Sequence, residues 1–272
     1  FYLYILINSL VNNPNLGSIT ISFFYFRFGL FVGAIIFLLE NNKNLLGNFF
    51  FILLLCFIAL TLDGFIQYFF KQNVFGWEIS EINRISSFFG DELILGSYLS
   101  RLIPIILACG IYFKNQSRNL FLLTLLILII SEVMVFLSGE RTAFIYINIS
   151  VIFVLLMLKE NKIARFATFL SAILLIIIIS IYNETAKKRF VDETLEQINL
   201  NAKNSEVYIF SKQHTHHYQA AFKMFKDNFL FGVGLKNFRH ACKDKKYFIS
   251  ELSCSTHPHN TYIQLASELG II

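Results

Sequence analysis

From Leu45 to Phe70 the chain carries one charged residue, Asp63, and from Asn119 to Ser131 it carries none. A bilayer core takes about 20 apolar residues to cross. Runs of this length must close their backbone hydrogen bonds within themselves, as membrane-crossing helices do. The composition agrees: 56% of the residues are hydrophobic and 15% charged, against about 45–50% and about 25% in soluble domains. The chain is therefore expected to be an all-α polytopic membrane protein. Its architecture would be a multi-span helical bundle with a large, partly helical loop. The net charge of +5 is small and calls for no nucleic acid.

Spans are expected near 1–7, 19–39, 45–70, 93–113, 120–137, 143–158, 166–182 and 261–272. This divides the chain into a transmembrane region (1–182), a polar segment (183–260) and the start of a further, truncated span (261–272). No Met and no basic stretch opens the chain, so no signal peptide is expected. The sequence reads as part of a longer protein.

Short-loop Lys and Arg favour the cytoplasmic side. Loops 40–44, 113–119 and 159–165 hold Lys43, Lys114, Arg118, Lys159, Lys162 and Arg165; the alternate loops hold only Lys71, Arg84 and Arg141. The segment 183–260 then falls outside the cell membrane, in a periplasm where there is one. Cys242 and Cys254 lie in this outer segment, where a disulfide between them suits an oxidising compartment; two unpaired thiols are the alternative, since their separation cannot be read from sequence.

Four ionisable residues interrupt the spans: Arg27, Asp63, Arg101 and Glu132. Such residues are costly in lipid and face a protein interior or a wet cavity. By their distance from the span ends, at ~1.5 Å per residue, all four sit in the outer half of the bilayer. One account is structural pairing, Arg27 or Arg101 with Asp63 or Glu132. The other is a cavity open to the outside that holds a charged ligand. Ser138-Gly139-Glu140-Arg141-Thr142-Ala143 joins two spans through a tight outer turn. A guanidinium fixed there suits bidentate binding of phosphate oxygens, or merely marks the interface as snorkelling charges do.

All six histidines lie between 214 and 259. His214, His216 and His217 form a close group without a helically spaced acid or thiol, so a metal site is not expected. Hydrogen bonding to sugar, or an ordinary surface position, remains open for them. Phe231-Gly232-Val233-Gly234 gives a glycine turn, and His257-Pro258-His259-Asn260 opens the last helical pattern.

Several of these pieces together resemble the superfamily of O-antigen ligases and O-antigen polymerases, which are membrane glycosyltransferases. They are Asp63-Gly64-Phe65-Ile66-Gln67 before a loop with Arg84; the Arg141 turn; the glycine turn followed by Asn237-Phe238; and His259 and Gly270 with ten residues between them. One departure is that the helix before the glycine turn often carries an arginine in the family, where this chain has His214, His216 and His217. The resemblance implies a GT-C-like fold and transfer of a glycan from a polyprenyl-diphosphate carrier to an acceptor hydroxyl at the periplasmic face of the inner membrane. The most direct form is ligation of O-antigen to lipid A–core in lipopolysaccharide biosynthesis. No cofactor or metal is implied. The partners would be the lipid-linked glycan donor, a lipid A–core or glycan acceptor, and membrane lipid.

The resemblance assigns roles as well. His259 would be the general base, with His257 as the second choice for that role or as the residue that orients it. Arg84 and Arg141 would clamp the diphosphate, with Arg27 or Arg101 lining the cavity. Asn260 and Tyr262 would bond sugar hydroxyls or cap the turn. Pro258 suits a first helical position, which would place His259 in the first turn, where the helix dipole disfavours an imidazolium. The alternatives are a polysaccharide polymerase of the same superfamily, a transporter or flippase for the lipid-linked glycan, and a non-catalytic glycan-binding protein. Alternating-access transporters usually show internal repeats and broken midplane helices, and neither is evident.

Overall fold

A computed structural model describes residues 1–12, 16–80, 83–157, 162–182, 188 and 212–271. The described residues are helical and contain no strand. In chain order the helices are α1 (Tyr2–Asn12), α2 (Leu16–Phe23), α3 (Phe26–Asn41), α4 (Leu45–Phe70), α5 (Leu95–Tyr112), α6 (Arg118–Leu137), α7 (Arg141–Met157), α8 (Lys162–Tyr182), α9 (Lys212–Asp227), α10 (Phe238–Ala241) and α11 (Thr261–Leu269). Leu16–Asn41, α4, α5 and α6 are long and apolar enough to cross a membrane. The protein is an all-α polytopic membrane protein. Most of the segment 183–211 lies outside the described residues, and so does the end of the expected span at 143–158.

The chain divides into two compact units. The first to consider comprises residues 42–194 and holds α4–α8. Phe57, Leu95, Leu99, Ile103, Ile106, Met134 and Ile147 form its fully buried centre. Phe51, Ile52, Leu55, Leu62, Leu122 and Leu126 point outward, as side chains do on helices solvated by lipid. α6 starts where Ser117 accepts a hydrogen bond from the Leu120 amide at 3.3 Å, a side-chain cap on one of the helix's orphan donors.

The end of α4 explains the Asp-Gly-Phe-Ile-Gln stretch. Asp63 is buried and accepts hydrogen bonds from the Val74 amide (2.9 Å) and the Ser87 hydroxyl (2.8 Å). Gln67 accepts from the Ser86 (3.0 Å) and Ser87 (2.8 Å) amides. Both side chains thus hold the loop 71–90 onto the helix end. Asp63 is satisfied by amides and a hydroxyl rather than by an arginine, which sets aside the ion pair considered for it. Glu132 is buried in α6, and Oε1 has no hydrogen-bond partner among the described residues.

The second unit comprises residues 1–41 and 195–272. α9, α10 and the loops beside them enclose Ala220, Ala221, Met224, Phe238, Cys242 and Tyr247. Cys242 and Cys254 are joined by a disulfide, with their Cα atoms 5.5 Å apart. The N-terminal helices carry the glycine turn. Asn8 donates to the Phe231 carbonyl (2.6 Å), Ser18 to that of Leu235 (3.0 Å), and the Tyr4 hydroxyl to that of Leu269.

α11 is a nine-residue helix that ends at Gly270, with φ 78°. It interlocks with the glycine turn. The Val233 and Gly234 amides donate to the Ser267 and Glu268 carbonyls (both 2.9 Å), and the Ile271 amide donates to Phe229 (3.0 Å). These carbonyls at the helix end would otherwise lack partners. Gly232 also has a positive φ, 67°. A Cβ on Gly232 would run into the backbone of Glu268 and Leu269, and one on Gly270 into that of Leu230 and Phe231. The two glycines therefore permit each other's approach.

Candidate functional site

Four histidines of the second unit come together. His214 and His217 lie one turn apart on α9, and His257 and His259 come from the loop before α11. Ring centroids are separated by 4.4 Å (His257–His259), 5.3 Å (His217–His259), 5.5 Å (His214–His259) and 6.1 Å (His214–His217). His216 points elsewhere, its Nδ1 2.7 Å from the Ser250 hydroxyl. Sequence reasoning treated the histidines of α9 apart from those before α11. The usable signal was the i, i+3 spacing of His214 and His217, which puts both on one helix face.

Where α11 begins differs from expectation. Asn260, in extended conformation, is the N-cap: its Oδ1 accepts from the Tyr262 (3.0 Å) and Ile263 (3.2 Å) amides. Asn outranks other residues as a cap, and it moves the helix start three residues beyond Pro258. His259 is therefore outside the helix, with a left-handed backbone at φ 57°. The helix dipole does not keep it neutral. Its pKa is lowered by burial and then by His257. Burial also lowers that of His214, with His259 next.

His217 is 1% exposed and is pushed down to about 4, first by burial and then by the His259 and His214 charges, against a hydrogen bond to the Leu252 carbonyl. Its Nδ1 is buried and has no hydrogen-bond partner among the described residues. The lowered values of His214, His217 and His259 favour the neutral imidazole, the form that can accept a proton. Among the described residues no three His, Cys, Asp or Glu side chains are placed to hold a metal ion.

Beside the histidines a groove of about 590 Å³ runs between α9 and α11, lined by Tyr218, Phe222, Phe225, Tyr262, Ile263 and Ala266 among others. Tyr262 is 85% exposed and free to meet a ligand. Arg27 belongs to the same unit. It is exposed, and its guanidinium lies over the Phe28 ring at 5.1 Å.

The other expected residues lie in the unit of α4–α8. Arg141 opens α7, half-buried, after a turn in which Gly139 takes φ 69°. Glu140 binds across the unit to the start of α5, accepting from the Gly96 amide (2.7 Å), the Ser97 amide (3.1 Å) and the Ser97 hydroxyl. It caps α5 from another segment, where a carboxylate meets the positive end of the dipole. A Cβ on Gly96 would collide with Ser138 and crowd Glu140.

Arg84 donates to the Ser138 (2.9 Å) and Leu93 (3.1 Å) carbonyls and lies 3.9 Å from Glu140. It was expected as a phosphate clamp, but its guanidinium is engaged in fixing the turn. Arg141 is the second arginine of this region, at the start of α7. A cation at a helix N-terminus is disfavoured by the dipole, whereas an anion there is favoured. Arg101 is exposed on α5.

The fold and these groups define a polytopic membrane protein with a histidine cluster in one unit and a braced arginine turn in the other. A model of the O-antigen ligase family matches residues 122–272, more than half of the chain. The chain belongs to the O-antigen ligase family, and it is a membrane protein of glycosyltransferase type in O-antigen biosynthesis. No curated protein and no solved structure matches it.

Proposed function

We propose that the protein transfers a glycan from a polyprenyl-diphosphate carrier to an acceptor hydroxyl at the periplasmic face of the inner membrane, joining O-antigen to lipid A–core. The observation that carries this reading is the histidine group around His259. It supplies neutral proton acceptors beside a groove that can seat part of a substrate.

In the proposed step the acceptor oxygen attacks the anomeric carbon of the donor sugar. Its proton passes to the His259 imidazole, and the bond from that carbon to the diphosphate oxygen breaks. Polyprenyl diphosphate leaves with the bonding electron pair. A base poised near neutrality suits the proton transfer, and His257 at 4.4 Å is placed to orient the His259 ring. The leaving diphosphate needs fixed positive charge. Arg141 supplies it on this reading, with Arg84 and Glu140 holding the turn. Arg27 and Arg101 are proposed to line the path of the charged donor. Asn260 caps α11, and Tyr262 offers its hydroxyl to sugar.

The test is His259→Ala in the full-length protein, read by glycan transfer in membranes. Loss of transfer at normal protein level is the expected result, and near-normal transfer would remove the base assignment. The lipopolysaccharide banding of a deletion strain separates the ligase from the polymerase. Core without any O-chain marks ligation, and core capped by single repeats marks polymerisation. Reconstitution with a lipid-linked donor distinguishes both from a flippase, which relocates lipid without making a glycosidic bond.

A further inference from the structure

A second pocket of the histidine-bearing unit lies apart from the histidine group. It has a volume of about 250 Å³ and lies between α2 and the segment after the glycine turn. Ile21 and Leu235 give it apolar surface, and Lys236, Arg239 and His240 line it together. All three basic side chains belong to exposed residues. Among the described residues none of the three is in an ion pair. The carboxylate that acts on Lys236 is Glu268, which is buried and engaged: Oε1 accepts from the Phe238 amide (3.2 Å) and Oε2 from Gln264 (3.0 Å).

Lys236 also has a left-handed backbone, φ 59°. A side chain bearing a Cβ is disfavoured there, and such residues cluster at ligand clamps. The buried Ser18 hydroxyl, bonded to the Leu235 carbonyl at 3.0 Å, ties α2 to this wall. The pocket is thus a built feature.

Its position indicates the ligand. α2 opens the apolar stretch Leu16–Asn41, which is long enough to span a bilayer. Gly17 and Ser18, at its first turn, line the pocket. From there Ile21, Phe24 and Phe28 follow at helical spacing and are all exposed. A basic pocket at the end of a span, continued by an apolar stripe, matches a molecule with an anionic head and a hydrocarbon tail.

We propose that Lys236, Arg239 and His240 form a binding site for the phosphate group of a membrane lipid, Arg239 providing the two-pronged donor and Lys236 a point charge. The tail would lie along Ile21, Phe24 and Phe28. The site rests on none of the transfer chemistry above, and its failure would leave that chemistry standing.

Native mass spectrometry of the full chain in detergent, with phosphatidic acid and phosphatidylcholine as probes, tests it. The wild type should retain phosphatidic acid preferentially. Lys236→Gly combined with Arg239→Gln should weaken that preference about thirtyfold, from the loss of two basic side chains. Glycine at 236 relieves the left-handed backbone, so the variant should fold.

Thermal shift with inorganic phosphate forms the second arm. Stabilisation of the wild type but not of the variant, without lipid preference, keeps the phosphate site and assigns it to free phosphate. Equal behaviour of wild type and variant toward both probes overturns the proposal.

Discussion

The two units hold their polar groups in opposite ways. In the unit of α4–α8, three charged side chains are answered by fixed partners, whereas Glu132 keeps one oxygen without a hydrogen bond among the described residues. Asp63 is met by an amide and a hydroxyl, Glu140 by the start of α5, and Arg84 by two carbonyls. In the unit of α1–α3 and α9–α11 the reactive groups are imidazoles, and burial and neighbouring histidines lower the pKa of His214, His217 and His259. There, His259 and Lys236 take left-handed backbone angles in a unit that also holds a disulfide and an interlocked pair of glycines. The difference teaches that rigidity is reached by two routes. One is hydrogen bonding to a formal charge. The other is tight backbone packing around groups that must stay uncharged.

The glycine interlock offers the largest way to break this contrast. Gly270→Ala combines a disfavoured positive φ with a Cβ driven into the Leu230 and Phe231 backbone. Backbone atoms cannot rotate away as side chains do. The cost should exceed about 2 kcal/mol, in the range of severe single substitutions. Thermal unfolding of the purified protein should show it, along with loss of transfer. A Gly270→Ala protein as stable as wild type would mean that the interlock does not hold the unit.

Much of this fold was legible in the sequence, and the exceptions share a cause. The spans could be placed because lipid makes a one-sided demand on every side chain along a helix. Ala221, Phe222 and Phe225 have the spacing of an amphipathic helix, and α9 carries all three. The brace at Glu140 was not, since its partners Gly96 and Ser97 lie some forty residues away and only the tertiary fold brings them near. The start of α11 was misplaced because two local rules competed. Proline suits a first helical position, but Asn260 two residues later is the better cap. The consequence reaches the site itself: His259 is an unwound residue stacked among histidines and has no helix dipole behind it. The joining of His214 and His217 to His257 and His259 depends on how α9 packs beside α11, which no local pattern encodes.

The hydrogen-bonded unit can be probed at Glu140. Glu140→Ala removes the acceptor for two amides and a hydroxyl at the start of α5. Hydrogen bonds to a charged group contribute about 1.5–3 kcal/mol, so a loss of about 2 kcal/mol is expected. Glu140→Gln keeps an acceptor and should recover roughly half. If Arg141 works only when the turn is braced, transfer should fall further than the folded fraction does. Equal losses in stability and activity would make Glu140 purely structural.

Acid should separate the units more gently. His217 has a folded pKa of about 4, below its ordinary 6.5, so the folded state prefers it neutral. As pH falls the unfolded chain takes up the proton first. The stabilisation is whole above about pH 6.5 and is lost progressively toward about pH 4. Burial acts in the same direction on His214 and His259. His217→Phe gives up the hydrogen bond to Leu252 and should be somewhat less stable at neutral pH. Its melting temperature should nevertheless fall less steeply with acid than that of the wild type. Parallel curves would show that His217 is not what makes this unit acid-sensitive.

The smallest effect on folding is expected where the effect on function is greatest. A left-handed backbone costs an ordinary L residue about 1–2 kcal/mol, and Asn tolerates that region better than most residues do. His259→Asn should therefore fold as well as the wild type, to within about 0.5 kcal/mol, while losing the base on which transfer is proposed to depend. A clear drop in melting temperature would show that the His259 ring is held for its contacts with His217 and His257, as a packing element. Unchanged stability with abolished transfer would mark His259 as a residue kept in an unfavourable conformation for the direction in which it aims an imidazole.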